Sequence, residues 1–222
     1  MIHPMTLLSI IKGGLLVSCR NYLTELLFGL KWRGFGRYPT GIFLEDFEER
    51  RCELIKFLPN HHPEESPEFE RMYSIRIRAP KDRIFDALGT FGDLDRKYFK
   101  PRFVTVHRID GKANELGSVI QYDLPLKFMS FRIALEKFER GHYLLYRIMD
   151  GFAKGGVLIF DIENHKKAQL LSIYVAYNFQ EGDSFLTRLF WGLFERLFPQ
   201  YMHDVLWNHS LCKFKDIVEF DG

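Results

Sequence analysis

The sequence predicts an α+β domain: one curled antiparallel sheet of about seven strands, closed by a long C-terminal helix and preceded by an N-terminal helical extension. Three observations carry that expectation. Strand-like runs follow one another between residues 73 and 179 with short turn signals between most of them, which makes sequence neighbours antiparallel partners. Two short helical stretches break the series once, after the first run. From Ser184 to Glu219 the pattern changes to apolar residues at helical spacing. Strands followed by one long helix is the order of a domain whose helices are segregated to one face of a sheet.

Residues 1–71 read as the extension. Its first thirty residues are apolar but interrupted, and the longest uncharged runs, 1–11 and 13–19, are too short to span a bilayer. A signal peptide fits poorly, because no charge precedes the apolar region and Lys12 lies inside it. Leu16-Val17-Ser18-Cys19 has the look of a lipoprotein cleavage box, but Arg20 follows at once. The stretch reads better as a basic amphipathic segment, with Leu7, Leu8, Ile11, Leu15, Tyr22, Leu26, Leu27 and Leu30 apolar and Lys12, Arg20, Lys31 and Arg33 cationic. Two fates are open to it: lying on an anionic membrane surface, or docking on the domain's own body, the commoner end of an apolar helical stripe. Trp32 to Thr40 is a Gly/Pro turn. A second amphipathic helix is expected over Gly41–Leu58, ended by Pro59-Asn60-His61-His62-Pro63, with an acidic linker to Pro67 and beyond.

The domain begins at about residue 72. Tyr73, Ile75, Ile77 and Ala79 alternate with Ser74, Arg76 and Arg78 as in a half-buried strand, and Pro80 stops it. Lys81–Phe91 carries Ile84, Phe85 and Leu88 at helical spacing, and a short helix or turn runs from Asp93 to Pro101. Strands are then expected at Phe103–Ile109, Ser118–Leu124, Phe128–Phe138, Tyr143–Met149, Val157–Ile162 and Leu170–Phe179. In the last segment Leu186, Phe190, Leu193, Leu197, Tyr201 and Val205 form a stripe, thickened by Leu189, Phe194, Phe198 and Met202. Burying ten such side chains contributes at most about 15–30 kcal/mol. An unbroken helix of 36 residues would span about 54 Å, and Pro199 lies within it. Two helical pieces, or one kinked helix hinged near Phe198 and Pro199, are therefore expected.

Charge is nearly balanced, with 31 Lys and Arg against 29 Asp and Glu, but it is unevenly spread. Residues 1–38 hold five cations against one acid, net +4, and residues 39–70 hold nine acids against three cations, net −6. Nucleic-acid binding is not expected, because the basic charge sits in a short apolar segment and no RNA-recognition signature appears. Cys19, Cys52 and Cys212 have neither disulfide-framework nor zinc spacing, so a reducing, cytoplasmic location is expected, peripheral to the inner face of a membrane if the basic segment binds lipid. His61-His62 lacks a ligand cluster, and no metal site or cofactor is expected. With 22 Phe among its aromatics, the chain brings much apolar area free of polar atoms, which suits an apolar core or an apolar cavity.

Three motifs carry a resemblance. Ile77-Arg78-Ala79-Pro80-Lys81-Asp82-Arg83-Ile84-Phe85-Asp86-Ala87-Leu88 is a strand ending in Ala-Pro, then three variable residues and an aliphatic-aromatic pair. Asp93-Leu94-Asp95-Arg96-Lys97-Tyr98-Phe99-Lys100-Pro101 is similar to a D-L-x-x-W-x-P element, with Tyr98 or Phe99 in place of the tryptophan, and Leu116-Gly117-Ser118 is similar to a glycine turn that opens a strand. Over residues 72–219 the chain resembles the START-like superfamily (SRPBCC; polyketide cyclase and Bet v 1-like proteins). The resemblance implies a helix-grip fold with an elongated apolar cavity between sheet and last helix, used in the superfamily for lipids, sterols, quinones, polyketides or plant hormones. A minority of members are enzymes and they share no universal catalytic set, so no catalytic residue is assigned.

Strand alternation selects the lining expected of such a cavity: Ile120, Tyr122 and Leu124; Met129, Phe131 and Ile133, with Leu135 beyond them; Ile173, Val175 and Tyr177, with Phe179 beyond; and Phe194, Phe198 and Met202 from the last helix. On Tyr143–Met149 either parity is apolar. Leu144, Tyr146 and Ile148 are chosen because the other set includes Arg147, which prefers water. Tyr122, Tyr146 and Tyr177 are the polar handles of such a cavity; taken singly, each reads rather as a core tyrosine whose hydroxyl finds backbone or water. His203, Asp204 and His209 invite proton transfer, but His203 and Asp204 point about 100° apart on a helix and no nucleophile stands beside them. The leading expectation is binding, transport or sensing of a hydrophobic small molecule. The alternatives are a cyclase- or dehydratase-type enzyme using the same cavity, or a membrane-surface module acting through residues 1–40.

Overall fold

Antiparallel pairing builds the whole sheet. The computed structural model describes residues 52–54, 67–93, 104–124, 127–179 and 199–220. Its strands are β1 (Phe69–Ile77), β2 (Thr105–Asp110), β3 (Val119–Asp123), β4 (Phe131–Glu139), β5 (Tyr143–Ile148), β6 (Val157–His165) and β7 (Ala168–Tyr177). They form one seven-stranded sheet in the order β1-β7-β6-β5-β4-β3-β2. From β2 to β7 every strand pairs with its sequence neighbour, and β1 alone pairs at long range, with β7. Two helices accompany the sheet, α1 (Lys81–Gly89) and α2 (Pro199–Phe220). A curled antiparallel sheet with a long C-terminal helix against it is the α+β, helix-grip architecture.

β1 starts at Phe69, inside the stretch that reads as acidic linker. The acids belong there for a structural reason. Glu68 accepts the Phe179 backbone N–H through Oε2 at 2.6 Å, its own N–H donates to Asn178 Oδ1 at 2.9 Å, and the Tyr174 hydroxyl donates to Glu70. β1 also ends at Ile77, two residues short of Ala79. The strand expected over Phe128–Phe138 is divided: Lys127–Met129 is a 3-10 turn and pairing starts only at Phe131.

α1 begins directly after Pro80, whose carbonyl accepts the Ile84 N–H, and it buries Ile84, Phe85 and Leu88. Arg108 secures its far end, with Nε 3.1 Å from Asp93 Oδ1 and Nη2 donating to the Gly89 carbonyl at 2.6 Å. α2 opens on Pro199, a position where the missing N–H costs no helical bond. It lies against β1 and α1. Trp207, Leu211, Phe214 and Val218 are its buried stripe, with Ser210 beside them. These four follow one another at helical spacing but begin two residues beyond Val205, on a different face from the stripe expected there, and at about 1.5–3 kcal/mol each they stabilise the domain by at most about 6–12 kcal/mol. The earlier part of the expected stripe and the stretch from Asp93 to Pro101 lie wholly or largely outside the described residues, as does all of the N-terminal extension except 52–54, which is helical, and 67–71, where β1 begins.

The sheet is buried on both faces across β5, β6 and β7. Its inner face, toward the helices, holds the main core, including Tyr73, Ile75, Ile120, Ile133, Leu144, Tyr146, Leu158, Phe160, Ile173 and Val175. Its outer face holds a second cluster of Tyr143, Leu145, Val157, Ile159, Tyr174 and Ala176, and Leu54 is buried in it. Gly156 sits where β6 begins, and a Cβ there would fall 2.5 Å from that of Tyr177 and 2.8 Å from the Ala176 carbonyl oxygen. Only glycine fits that approach.

Candidate functional site

The inner face is the candidate site. Along β3, β4, β5 and β7 the period-2 alternation delivers Ile120, Ile133, Leu144, Tyr146, Ile148, Ile173, Val175 and Tyr177 into one buried cluster, with Tyr122 and Phe131 packed against it. Leu144 and Tyr146 lie inward as expected, yet Tyr143 and Leu145 on the opposite parity are also buried, on the outer face. Leu124 and Met129 do not join the cluster. Both lie in the connection from β3 to β4, half-buried, where Ser130 Oγ receives the Leu124 N–H at 3.1 Å and strand alternation no longer applies. Phe194 and Phe198 lie outside the described residues, and so do the side chains of Met202, His203 and His209 on α2 and of Asp204 between them.

The lining is an aromatic network in two parts. Phe91 bridges the first two tyrosines, its ring centroid 6.5 Å from Tyr122 and 5.4 Å from Tyr146, and it reaches Phe160 at 5.7 Å. Phe160 contacts Tyr146 edge-on and Trp207 of α2 at 6.3 Å, and Trp207 stacks near Tyr73 at 6.2 Å. The second part gathers Tyr177, Phe69, Phe152 and Phe179, with Phe69 stacked on Tyr177 at 4.8 Å. Phe131 joins the two parts, stacked on Tyr122 at 4.7 Å and edge-on to Phe152 at 5.7 Å. Offset and edge-to-face pairs of this kind are worth about 0.5–1.5 kcal/mol each beyond their burial.

The polar atoms on this surface are few. Burial pushes the Tyr122 hydroxyl far above the ordinary tyrosine range, and the neighbouring Tyr146 adds to it. Burial does the same at Tyr177, against a smaller opposing pull from the Arg71 guanidinium. Both stay protonated at any physiological pH, each with one hydroxyl proton to donate. The Tyr146 hydroxyl and the Trp207 indole nitrogen are shielded from solvent on the same face. Among the described residues, the inner cluster contains no His, Asp or Glu, and no group of three metal-ligating side chains occurs.

Phe91, Phe152, Phe160 and Trp207 were not singled out by strand alternation. Phe160 has the inward parity of β6 and Trp207 the helical spacing of α2, so both were readable; Phe91 and Phe152 sit on turns, where no period applies. Among the described residues no helix is long and apolar enough to cross a membrane.

The sequence matches no protein-family model and no curated protein. Solved structures resemble it at low identity. The Aha1 dimer from Colwellia psychrerythraea is 16% identical, over 68% of this chain and 97% of its own, with a TM-score of 0.43. Protein CV1439 from Chromobacterium violaceum is 15% identical, over 68% and 96%, with a TM-score of 0.48. Ara h 8.0201 is 14% identical, over 68% and 94%, with a TM-score of 0.45.

Proposed function

We propose that the domain binds a hydrophobic small molecule, of lipid, sterol, quinone or polyketide-like character, between the inner face of the sheet and α2. The observation that carries this reading is the set of three tyrosines, Tyr122, Tyr146 and Tyr177, from three different strands, on a face made mostly of aliphatic and aromatic groups. A ligand's apolar body suits the phenyl-rich walls, and a neutral tyrosine hydroxyl suits its carbonyl or hydroxyl oxygen. Acid–base catalysis is the weaker reading, because burial holds Tyr122 and Tyr177 protonated and the charged group beside Tyr177, the Arg71 guanidinium over the Phe69 ring, is a cation rather than a carboxylate or imidazole.

The extension divides under the same reading. Leu54, in the described segment 52–54, is buried in the outer-face cluster, while residues 1–40 make a peripheral membrane contact from which an apolar ligand is exchanged. Sedimentation with anionic liposomes at low salt tests the latter: removing residues 1–40 abolishes it, and unchanged sedimentation overturns it.

Native mass spectrometry of the purified full-length chain, followed by organic extraction, tests the binding. The expected result is a discrete bound mass that Phe160→Ala or Tyr122→Phe weakens. A clean apo mass, together with no saturable thermal shift from a fatty acid, a sterol or a quinone, overturns it.

A further inference from the structure

A second site lies away from the inner face, at the edge where the end of β1, the β6–β7 turn and the last turns of α2 meet. A cleft of about 490 Å³ opens there, lined by Arg76, Arg78, His165, Lys166, Lys167, Ala168, Lys215 and Glu219. None of these residues belongs to the inner aromatic cluster. Five cations face one carboxylate, a net charge of +4 before any contribution from His165.

The surrounding hydrogen bonds leave that charge largely unmatched. Glu219 accepts the Arg78 backbone N–H at 2.6 Å and lies 3.7 Å from Lys215 Nζ, so it is spent on fastening the end of α2 to β1 and on one lysine. The side chains of Arg76, Arg78, Lys166 and Lys167 hold no carboxylate among the described residues. Four arginines elsewhere on the domain, Arg108, Arg132, Arg140 and Arg147, each pair with an Asp or Glu. His165 Nε2 is buried in this cleft's wall with no hydrogen-bond partner among the described residues. Exposed like charges repel one another, and a protein ordinarily separates or neutralises them.

The backbone adds a further sign. The pairing of His165 with Ala168 closes β6 and β7 through a two-residue turn, Lys166-Lys167, and Lys166 adopts φ +54°. Gly, Asn or Asp takes the left-handed region at lower cost than lysine. A lysine held there keeps a cation at the mouth of the cleft where a turn former would serve the fold better.

We propose that this cleft binds a phosphate group, carried by a small soluble anion or by a lipid headgroup. Two guanidiniums two residues apart, one on β1 and one just past its end, can present planar N–H forks to phosphate oxygens, and the lysines supply point charge. Apart from the His165 imidazole, the described lining carries no aromatic ring on which a base could stack. It is a pocket for one group rather than a track along a polymer.

The test uses the full-length chain with two probes: inorganic pyrophosphate, followed by calorimetry and thermal shift, and phosphatidylcholine vesicles with and without phosphatidic acid, followed by sedimentation. The variants are Arg76→Gln with Arg78→Gln, and separately Lys166→Gly, which eases the turn and therefore folds at least as well as the parent. Lys112→Gln, on an exposed loop, is the control. The expected result is saturable binding of at least one probe, weakened at least about tenfold by the double arginine change and several-fold by Lys166→Gly, with the control unchanged. Pyrophosphate binding locates the phosphate on a soluble anion, and binding to phosphatidic acid vesicles alone locates it on a headgroup. Failure of both probes to bind, or binding that the cleft variants leave untouched, overturns the proposal.

Discussion

The two faces of the same sheet are built from different chemistry. The inner face is aromatic and carries its polar atoms chiefly as tyrosine hydroxyls and one indole N–H, with the Arg71 guanidinium beside Phe69 and Tyr177. The outer face across β5 to β7 is largely aliphatic, and its polar content is structural: the Ser74 and Ser172 hydroxyls meet at 2.9 Å, and Tyr174 donates to Glu70. An antiparallel sheet commonly leaves one face to water, so burial on both sides implies that each face has its own cover. α1 and α2 cover the inner face, and Leu54, from a segment far upstream, is seated on the outer one. The difference teaches that, among the described residues, the inner face sets tyrosine hydroxyls and an indole N–H among apolar side chains. The outer face is a docking surface for the chain itself.

Adjacent residues on β6 give the largest contrast. Ile159 and Phe160 are both fully buried, one on each face. Phe160→Ala removes a ring that touches Phe91, Tyr146 and Trp207, and a loss of about 3–5 kcal/mol in chemical denaturation is expected. Ile159→Ala should cost about 2–4 kcal/mol and leave ligand binding intact. A binding loss from Ile159→Ala as large as that from Phe160→Ala would erase the functional distinction between the faces.

Leu54 sharpens the same comparison from the other side. Leu54→Ala is expected to cost about 2–3 kcal/mol, although it lies outside the sheet. Because Leu54 and Ile159 share one cluster, their double variant should show a coupling of about 0.5 kcal/mol or more, whereas Leu54→Ala with Phe160→Ala should be additive. Coupling to Phe160 but not to Ile159 would mean that Leu54 supports the inner face.

Alkaline titration reads the inner face alone. Tyr122 and Tyr177 have pKa values raised by burial, so the folded chain holds their protons more tightly than the unfolded chain. Their contribution is therefore fully present below about pH 10, where an unfolded tyrosine titrates. Above that, stability falls by about 1.4 kcal/mol per pH unit per group until the folded hydroxyl itself ionises. Denaturation of the parent and of Tyr122→Phe with Tyr177→Phe at successive pH values above 10 should show the steeper loss in the parent. Equal slopes would mean that these hydroxyls reach water in the folded state.

The same two-faced burial explains what could be read from the sequence. β3 and the first half of β4 alternate, so Ile120, Tyr122, Phe131 and Ile133 declare their face. β5, YLLYRI, is apolar on both parities because both faces are buried, and only Arg147 broke the tie. The seven-strand order and the terminal helix were legible from turn spacing and the change of period. β1 hid in part, because Glu68 and Glu70 make its entry look like linker while their carboxylates serve neighbouring strand and backbone groups. The cleft at the β6–β7 turn was invisible for a different reason. Arg76, Lys166 and Lys215 are remote in sequence, and only the β1–β7 pairing and the tether from Glu219 to Arg78 bring them together.

The smallest expected effect concerns a bulge that alternation alone misses. On β4, Leu135 opposes Tyr146 and Lys137 opposes Leu145, leaving Glu136 as the extra residue. The bulge resets the parity, and Phe138 turns inward to pack 6.0 Å from Phe85, where strict alternation from Leu135 would point it outward. Glu136 itself meets Arg147 at 2.7 and 3.2 Å, in a pair that is about one-third exposed on each side. Deleting Glu136 leaves Leu135 and Phe138 on the inner face with an ordinary ladder between them, so the cost is the exposed ion pair, about 1 kcal/mol or less. Deleting Ala134 instead exchanges the faces of every residue on one side of it, and should prevent folding or cost several times as much. If both deletions are equally damaging, Phe138 owes its inward position to its neighbours rather than to the bulge, and the inner face is less dependent on strand register than its aromatic contacts imply.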